Sequence, residues 1–289
     1  MAAEKLRIFE KPELKQPRLL VGFSGWMDGG EVSTGTVRYL IDRLDAEKFA
    51  EIDPEGFYIY SFPGLMEVTA LFRPHTTISD GLIKRFEVPR DAFYVSETHN
   101  LILFLGKEPN LNWAQFAECI FGLCDELDVR EIVFIGSVAG LVPHTREPRL
   151  FCSASNAEYM DTFSHYGIKS TNYDGPASIV TYLTEQCAER GLNMISIMAT
   201  VPAYVQGQNP KCVAAVTRRL IGIMDLDVDM DDLVKLGEAF EKRLDEAVRE
   251  QPELAGNIQK LEEDYDSDIF NNEMGELKDW LKQQGIRLD

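Results

Sequence analysis

Residues able to do chemistry gather in three short segments, each following an apolar run. Residues 22–30 read Gly22-Phe-Ser-Gly-Trp-Met-Asp-Gly-Gly30, with four glycines, one Trp and one Asp. Residues 106–113 read Gly106-Lys-Glu-Pro-Asn-Leu-Asn-Trp113 and carry one carboxylate, Glu108. Residues 142–148 read Val142-Pro-His-Thr-Arg-Glu-Pro148, with His144 and Arg146 flanking Thr145. Glu108 could act as a general acid or base only beside a second group, and His144 is its best partner on paper. A stiff loop presenting His144 and Arg146 could hold an anion. The same residues suit a hydrogen-bonded corner in which Arg146 pairs with an acid. The glycine-rich segment has three readings: a tight turn with Trp26 packed as a lid, a recognition edge, or a nucleotide cradle. The last lacks both G-x-G-x-x-G and the Lys-Ser/Thr of a P-loop. Asp28 suits a cap on the following helix. No serine elbow is present, since Gly22-Phe-Ser-Gly25 is one residue short of it. His75, His99 and His165 and the five cysteines show no metal-ligand spacing. No catalytic residue, metal or cofactor is therefore assigned.

Strands and helices must place these segments. Apolar runs at 18–23, 57–60, 101–105, 131–136 and 193–200 predict strands, and 83–88 is strand-like up to Pro89. Helical periodicity covers 31–44, 110–128, 156–165, 176–190 and 210–224. Pro109 fits the start of the second of these helices, with Asn110 or Asn112 as its cap. Strands alternating with helices imply a largely parallel sheet covered on both faces. In such sheets ligands sit outside the carboxyl ends of the strands, so the three segments would line one rim. After Asp225 the pattern changes to helical stripes alone: two antiparallel helices about Pro252, then a shorter terminal one with Trp280 and Leu281 as a candidate oligomer contact. The expected organisation is a core over 1–224 and a helical segment over 225–289.

Composition narrows the partners. The 289 residues carry a net charge of -19, a field that repels phosphate and so argues against nucleic acid or an anionic membrane. From Asp225 onward, 20 Asp and Glu face 8 Lys and Arg, which reads first as the solvated faces of surface helices. No apolar run reaches the 18 residues of a membrane span, and the start of the chain has no signal-like core. Five cysteines without a C-x-x-C pattern fit a reduced, cytoplasmic protein.

In series, the segments resemble the proteasome assembly chaperone 2 family. The matching pieces are Gly22–Gly30, Ile52-Asp-Pro-Glu-Gly-Phe-Tyr58, residues 106–113, Pro143-His-Thr-Arg146, Tyr173-Asp-Gly-Pro176 and Val201-Pro-Ala-Tyr-Val-Gln-Gly-Gln-Asn-Pro210. The resemblance implies a three-layer α/β/α sandwich with a mixed, mostly parallel sheet, similar to the nucleoside phosphorylase/hydrolase-like fold, plus a C-terminal helical appendage. It implies a homo-oligomer, a trimer being one candidate state, with a protein-assembly role and an unidentified protein partner. It brings no catalytic residues. One departure is the ending Arg287-Leu288-Asp289, where proteasome-docking relatives often carry a penultimate Tyr. The rim candidates are Gly25, Trp26, Asp28, Glu108, Asn110, Trp113, His144, Arg146 and Tyr204. The alternative expectation is an enzyme or binding protein for a small anionic or nucleoside-like ligand, built on His144, Arg146 and Glu108.

Overall fold

The computed structural model describes the backbone of residues 5–283 and their side chains except at 161, 162, 164, 272, 273 and 275–283. In chain order the first half contains β1 (Leu6–Ile8), β2 (Arg18–Ser24), α1 (Val32–Arg43), β3 (Glu47–Ile52), α2 (Met66–Ala70), β4 (His75–Ser79), β5 (Leu82–Glu87), β6 (Asp91–Ser96) and β7 (Leu101–Lys107). There follow α3 (Trp113–Leu127), β8 (Glu131–Gly140), β9 (Leu150–Ala154), α4 (Glu158–Ser164), β10 (Lys169–Ser170), α5 (Ile179–Arg190), β11 (Asn193–Pro202), α6 (Pro210–Met224), α7 (Asp231–Arg249) and α8 (Pro252–Gln283).

Nine strands form one sheet in the order β1-β3-β6-β7-β2-β8-β11-β9-β10. The central strands β7, β2, β8 and β11 are parallel. Toward one edge the pairings β7–β6, β6–β3 and β3–β1 are antiparallel; toward the other, β9 runs antiparallel to β11. The central strands are buried on both faces, which is why they read as unbroken apolar runs. Leu19, Val21 and Phe23 of β2 face Phe116 and Ile120 of α3 and Leu183 of α5, while Leu20 faces Val37 of α1 and Val216 of α6. The period of two thus divides the core into two layers. Phe23 sits among Phe104, Phe116 and Phe134 at ring distances of 5.4–6.1 Å. All five cysteines are free and buried.

Several expectations need correction. Residues 57–60 form no strand; they turn, with Phe57 buried against α3 and the Tyr58 hydroxyl bonded to Asp91. The unpredicted β3 and β6 fill the sheet edge instead, their sequences broken by Glu47, Lys48, Glu51 and Asp91. The expected terminal helix is not separate: α8 runs unbroken for 32 residues because nothing after Pro252 interrupts it. The side chains of Trp280 and Leu281, and residues 287–289, lie outside the described residues.

The segment between β3 and β6 leaves the sandwich as an arm. Its helix α2 buries no residue, and β4 and β5 pair only with each other, around an Asp80-Gly81 turn at φ 54° and 75°. The strand-like 83–88 run is therefore one side of this hairpin and no part of the main sheet. Tyr58 and Asp91 clamp the root of the arm. Tyr58 Oη lies 2.8 and 2.7 Å from the two Asp91 carboxylate oxygens, and the Lys107 amide donates to the same carboxylate at 2.9 Å. Burial pushes Asp91 up to about 7 and raises the Tyr58 phenol, whose charged form would sit beside a carboxylate.

Candidate functional site

The carboxyl ends of β2, β7, β8 and β11 meet on one rim, where the three sequence segments lie. The turn after β2 is tied down at each step. Gly25 takes φ 144°, where a Cβ would come within 2.9 Å of Glu108 Cβ. Glu108 accepts hydrogen bonds from the Trp26 amide at 3.1 Å and from the Ile179 amide, at the start of α5, at 3.4 Å. Its carboxylate therefore fastens two loops and complements a helix N-terminus. Asp28 accepts from the Thr34 amide and hydroxyl at 3.1 and 2.8 Å, which satisfies an orphan N–H in the first turn of α1. Burial raises Asp28 to about 6, against the lowering pull of these bonds. The Ser137 hydroxyl donates to the Gly29 carbonyl at 2.6 Å, and the Asn209 amide to the Gly30 carbonyl at 2.8 Å. Trp26 is 58% exposed, so the lid reading fails: the turn is held by polar bonds, and the indole stands outside.

The second segment is equally committed. Asn110 Oδ1 accepts from the Ile59 amide, and the Asn110 amide donates to Phe57 O. The Asn112 side chain donates to Gly56 O, and Trp113 Nε1 donates to Pro109 O at 2.8 Å. Neither asparagine side chain caps α3; both hold the 56–59 turn at the root of the arm.

His144 is 3% exposed and has a partner on each ring nitrogen: Tyr204 Oη at 2.8 Å from Nδ1 and Asp245 Oδ1 at 3.2 Å from Nε2. Tyr204 Oη also accepts the His144 amide proton at 2.8 Å, so one hydroxyl ties down both the ring and the backbone of His144. Lys211 Nζ donates to the His144 carbonyl at 2.6 Å and pairs with Glu241 at 2.7 Å. Arg146 grips Asp266 with two parallel bonds of 2.8 and 2.7 Å. That pair raises the guanidinium and lowers Asp266. Thr145 bonds Glu262, and Arg149 Nη1 reaches Asp268 at 3.0 Å.

The structure thus brings His144 together with Tyr204, and sets both apart from Glu108, which is held on the loop after β7 by other partners. The pairing of Glu108 with His144 imagined for general acid–base chemistry does not form. The acidic C-terminal helices also gain a role beyond solvation: Asp245, Glu262 and Asp266 are the counter-charges of the 144–149 corner. Sequence reasoning did not find these partners, which lie 101 to 120 residues downstream. Among the described residues no group of His, Cys, Asp and Glu is arranged to hold a metal ion. None of the described helices is long and apolar enough to cross a membrane.

The architecture is an α/β/α sandwich with a mixed sheet, helices on both faces and C-terminal helices strapped over one end of the rim. The PAC2 family profile matches residues 22–248, so the chain belongs to the PAC2 family. Its fold is close to that of a Mycobacterium tuberculosis protein of unknown function, with a TM-score of 0.81 and 22% identity over 94% of this chain and 92% of that one. A proteasome-assembly chaperone homologue from the same organism matches at a TM-score of 0.72 and 28% identity, covering 83% of this chain and 99% of that one. PbaB of Pyrococcus furiosus, an archaeal proteasome activator, shares the fold at a TM-score of 0.63 and 19% identity, covering 84% and 97%. A comparison with curated proteins finds no match.

Proposed function

We propose that this chain is a self-associating, non-enzymatic protein-assembly factor whose copies join through the arm between β3 and β6. Family membership and the 28% identity to a proteasome-assembly chaperone homologue support a chaperone-like role. The observation that carries self-association is the arm's exposed apolar surface. Leu65, Met66, Leu71, Ile78, Leu82, Ile83 and Phe86 are each more than 60% exposed. Together they present on the order of 1,000 Å² of apolar surface, above the few hundred Å² that a monomer tolerates and enough for one side of a stable interface. An isolated two-stranded hairpin is marginal in water, so the arm gains its order by being covered.

A second copy fits as the cover on charge. Within residues 61–90 the cations Arg73, Lys84, Arg85 and Arg90 outnumber Glu67, Asp80 and Glu87, in a chain of net charge -19. A slightly basic, apolar arm complements the acidic body of another protomer. The trimer remains the candidate state, and the cytoplasm, where free thiols persist, the proposed compartment. Sedimentation velocity tests the reading. Wild type is expected as a single oligomer at micromolar concentration and the Leu71→Asp/Ile83→Asp variant as a folded monomer. A monomeric wild type, or an unchanged oligomer in the variant, defeats it.

A further inference from the structure

Beside the His144 corner lies a cavity of about 380 Å³, within the range of about 300–1,000 Å³ usual for small-molecule sites. Its lining includes Arg149 and Leu150 at the start of β9, Lys169 of β10, Arg219 of α6, and Tyr265 and Ile269 of α8. The cationic side chains are the informative ones. Arg149 is paired with Asp268, and its guanidinium carbon lies over the Tyr265 ring, 4.5 Å from the centroid. Lys169 and Arg219 have no hydrogen-bond or ion-pair partner among the described residues. Glu147, the one carboxylate in the lining, is turned to Arg218 at 3.6 Å. A single unpartnered surface cation is unremarkable. Two that converge on one cavity beside a third, in a chain with 48 carboxylates to choose from, make a positive pocket in a negative molecule.

We propose that this cavity binds a small organic anion. A phosphate or carboxylate head sits between Lys169 and Arg219, and a flat apolar body lies against Leu150, Ile269 and the Tyr265 ring. The pairing follows from the chemistry of the walls: the fork of Arg219 and the point charge of Lys169 match anionic oxygens, and the remaining walls offer an aromatic edge and two aliphatic side chains. The site is separate from Glu108 and from His144 and Arg146, whose polar atoms are already committed. It also does not depend on self-association through the arm.

The test uses the full chain and four probes in calorimetric titration and thermal unfolding: adenosine 5′-monophosphate, benzoate, inorganic phosphate and neutral adenosine. The monophosphate or benzoate is expected to bind wild type and raise its melting temperature. The Lys169→Gln/Arg219→Gln variant, whose circular dichroism should match wild type, is expected to bind at least about tenfold more weakly, since each charge-assisted bond contributes that much or more. Arg149→Lys keeps the charge but loses the guanidinium over the Tyr265 ring, and should weaken the aromatic probes more than inorganic phosphate. Three results overturn the proposal: no anionic probe binds, binding survives the double substitution, or adenosine binds as well as its monophosphate. A double variant that melts well below wild type without ligand also overturns it, because the two cations would then be holding the fold.

Discussion

The rim and the arm differ in how their residues are satisfied. On the rim, Asp28, Glu108, Asn110, His144 and Arg146 look like chemistry in the sequence, yet each is taken up by a partner in the same chain. On the arm, Met66 at 83% and Leu71 at 77% exposure are apolar side chains of the kind a core takes up, yet the described residues supply nothing to cover them. Unsatisfied surface is where a second molecule gains free energy, and satisfied polar groups are where a fold holds its shape. The contrast is the basis for our proposal that the arm recognises and the motif-rich rim is architecture.

The comparison breaks most sharply under charge inserted into the arm. Leu71→Asp and Ile83→Asp each place a carboxylate in what we propose is an apolar interface. Hot-spot positions contribute roughly 2 kcal/mol or more apiece, so the pair should weaken association more than about a hundredfold. Unfolding of the α/β body, followed by tryptophan fluorescence at concentrations where both proteins are monomeric, should hardly change. A destabilised body would show that the arm packs on its own protomer.

The corner should behave in the opposite way. His144→Ala removes a buried ring that contacts both Tyr204 Oη and Asp245 of α7. The expected loss is about 2–3 kcal/mol of stability by chemical denaturation. Sedimentation of the folded variant should show the wild-type oligomer. Dissociation at full stability would move recognition onto the rim.

How far the sequence carried each region follows from the range of its interactions. Central strands β2, β8 and β11 were legible because burial on both faces leaves an unbroken apolar run. Helix α6 was legible to both ends, because Asn209 caps the Cys212 amide beside Pro210 and Asp225 closes it in the left-handed conformation. Strand β3, paired between β1 and β6, was hidden, since the exposed Glu47 and Lys48 and the half-buried Glu51 break the run. On the arm the strand-like 83–88 run was legible as β5, but its place outside the main sheet was not, because apolarity signals burial without saying by which molecule. The Asp80-Gly81 pair between apolar runs was the hairpin signal that would have set it apart from the sheet. The corner's partners, Tyr204 and Asp245, lie 60 and 101 residues from His144 and have no local signature.

A pH titration probes the joint between the two regions. Asp91 titrates near 7 in the folded chain and near 3.9 when unfolded. Between those values the folded chain holds a proton that the unfolded chain releases, so this group's contribution is present at low pH and fades as pH rises through 7. Asp28, raised to about 6, has the same sign. Going from pH 8 to 5.5 should therefore gain about 2 kcal/mol through Asp91. Asp91→Asn should remove that gain while keeping the fold. Its amide can donate to Tyr58, whose own proton then turns to the Lys107 carbonyl at 2.8 Å. Equal pH slopes in wild type and variant would mean that the arm's root is solvated and the carboxylate ordinary.

The smallest expected effect is the most discriminating. Trp26 is the largest side chain left outside on the rim; its amide is held by Glu108 while its indole is 58% exposed. If the rim is architecture, Trp26→Ala removes an exposed ring and costs less than about 0.5 kcal/mol, with no change in sedimentation. An aromatic on a rigid turn is also the form that protein recognition favours, because its surface is large and it has little rotamer freedom to lose. Affinity capture from a lysate, followed by mass spectrometry of wild type and Trp26→Ala side by side, separates the two roles. Identical protein lists leave recognition with the arm. Loss of a protein other than this chain itself would give the rim a partner of its own, held by an exposed aromatic that the fold does not use.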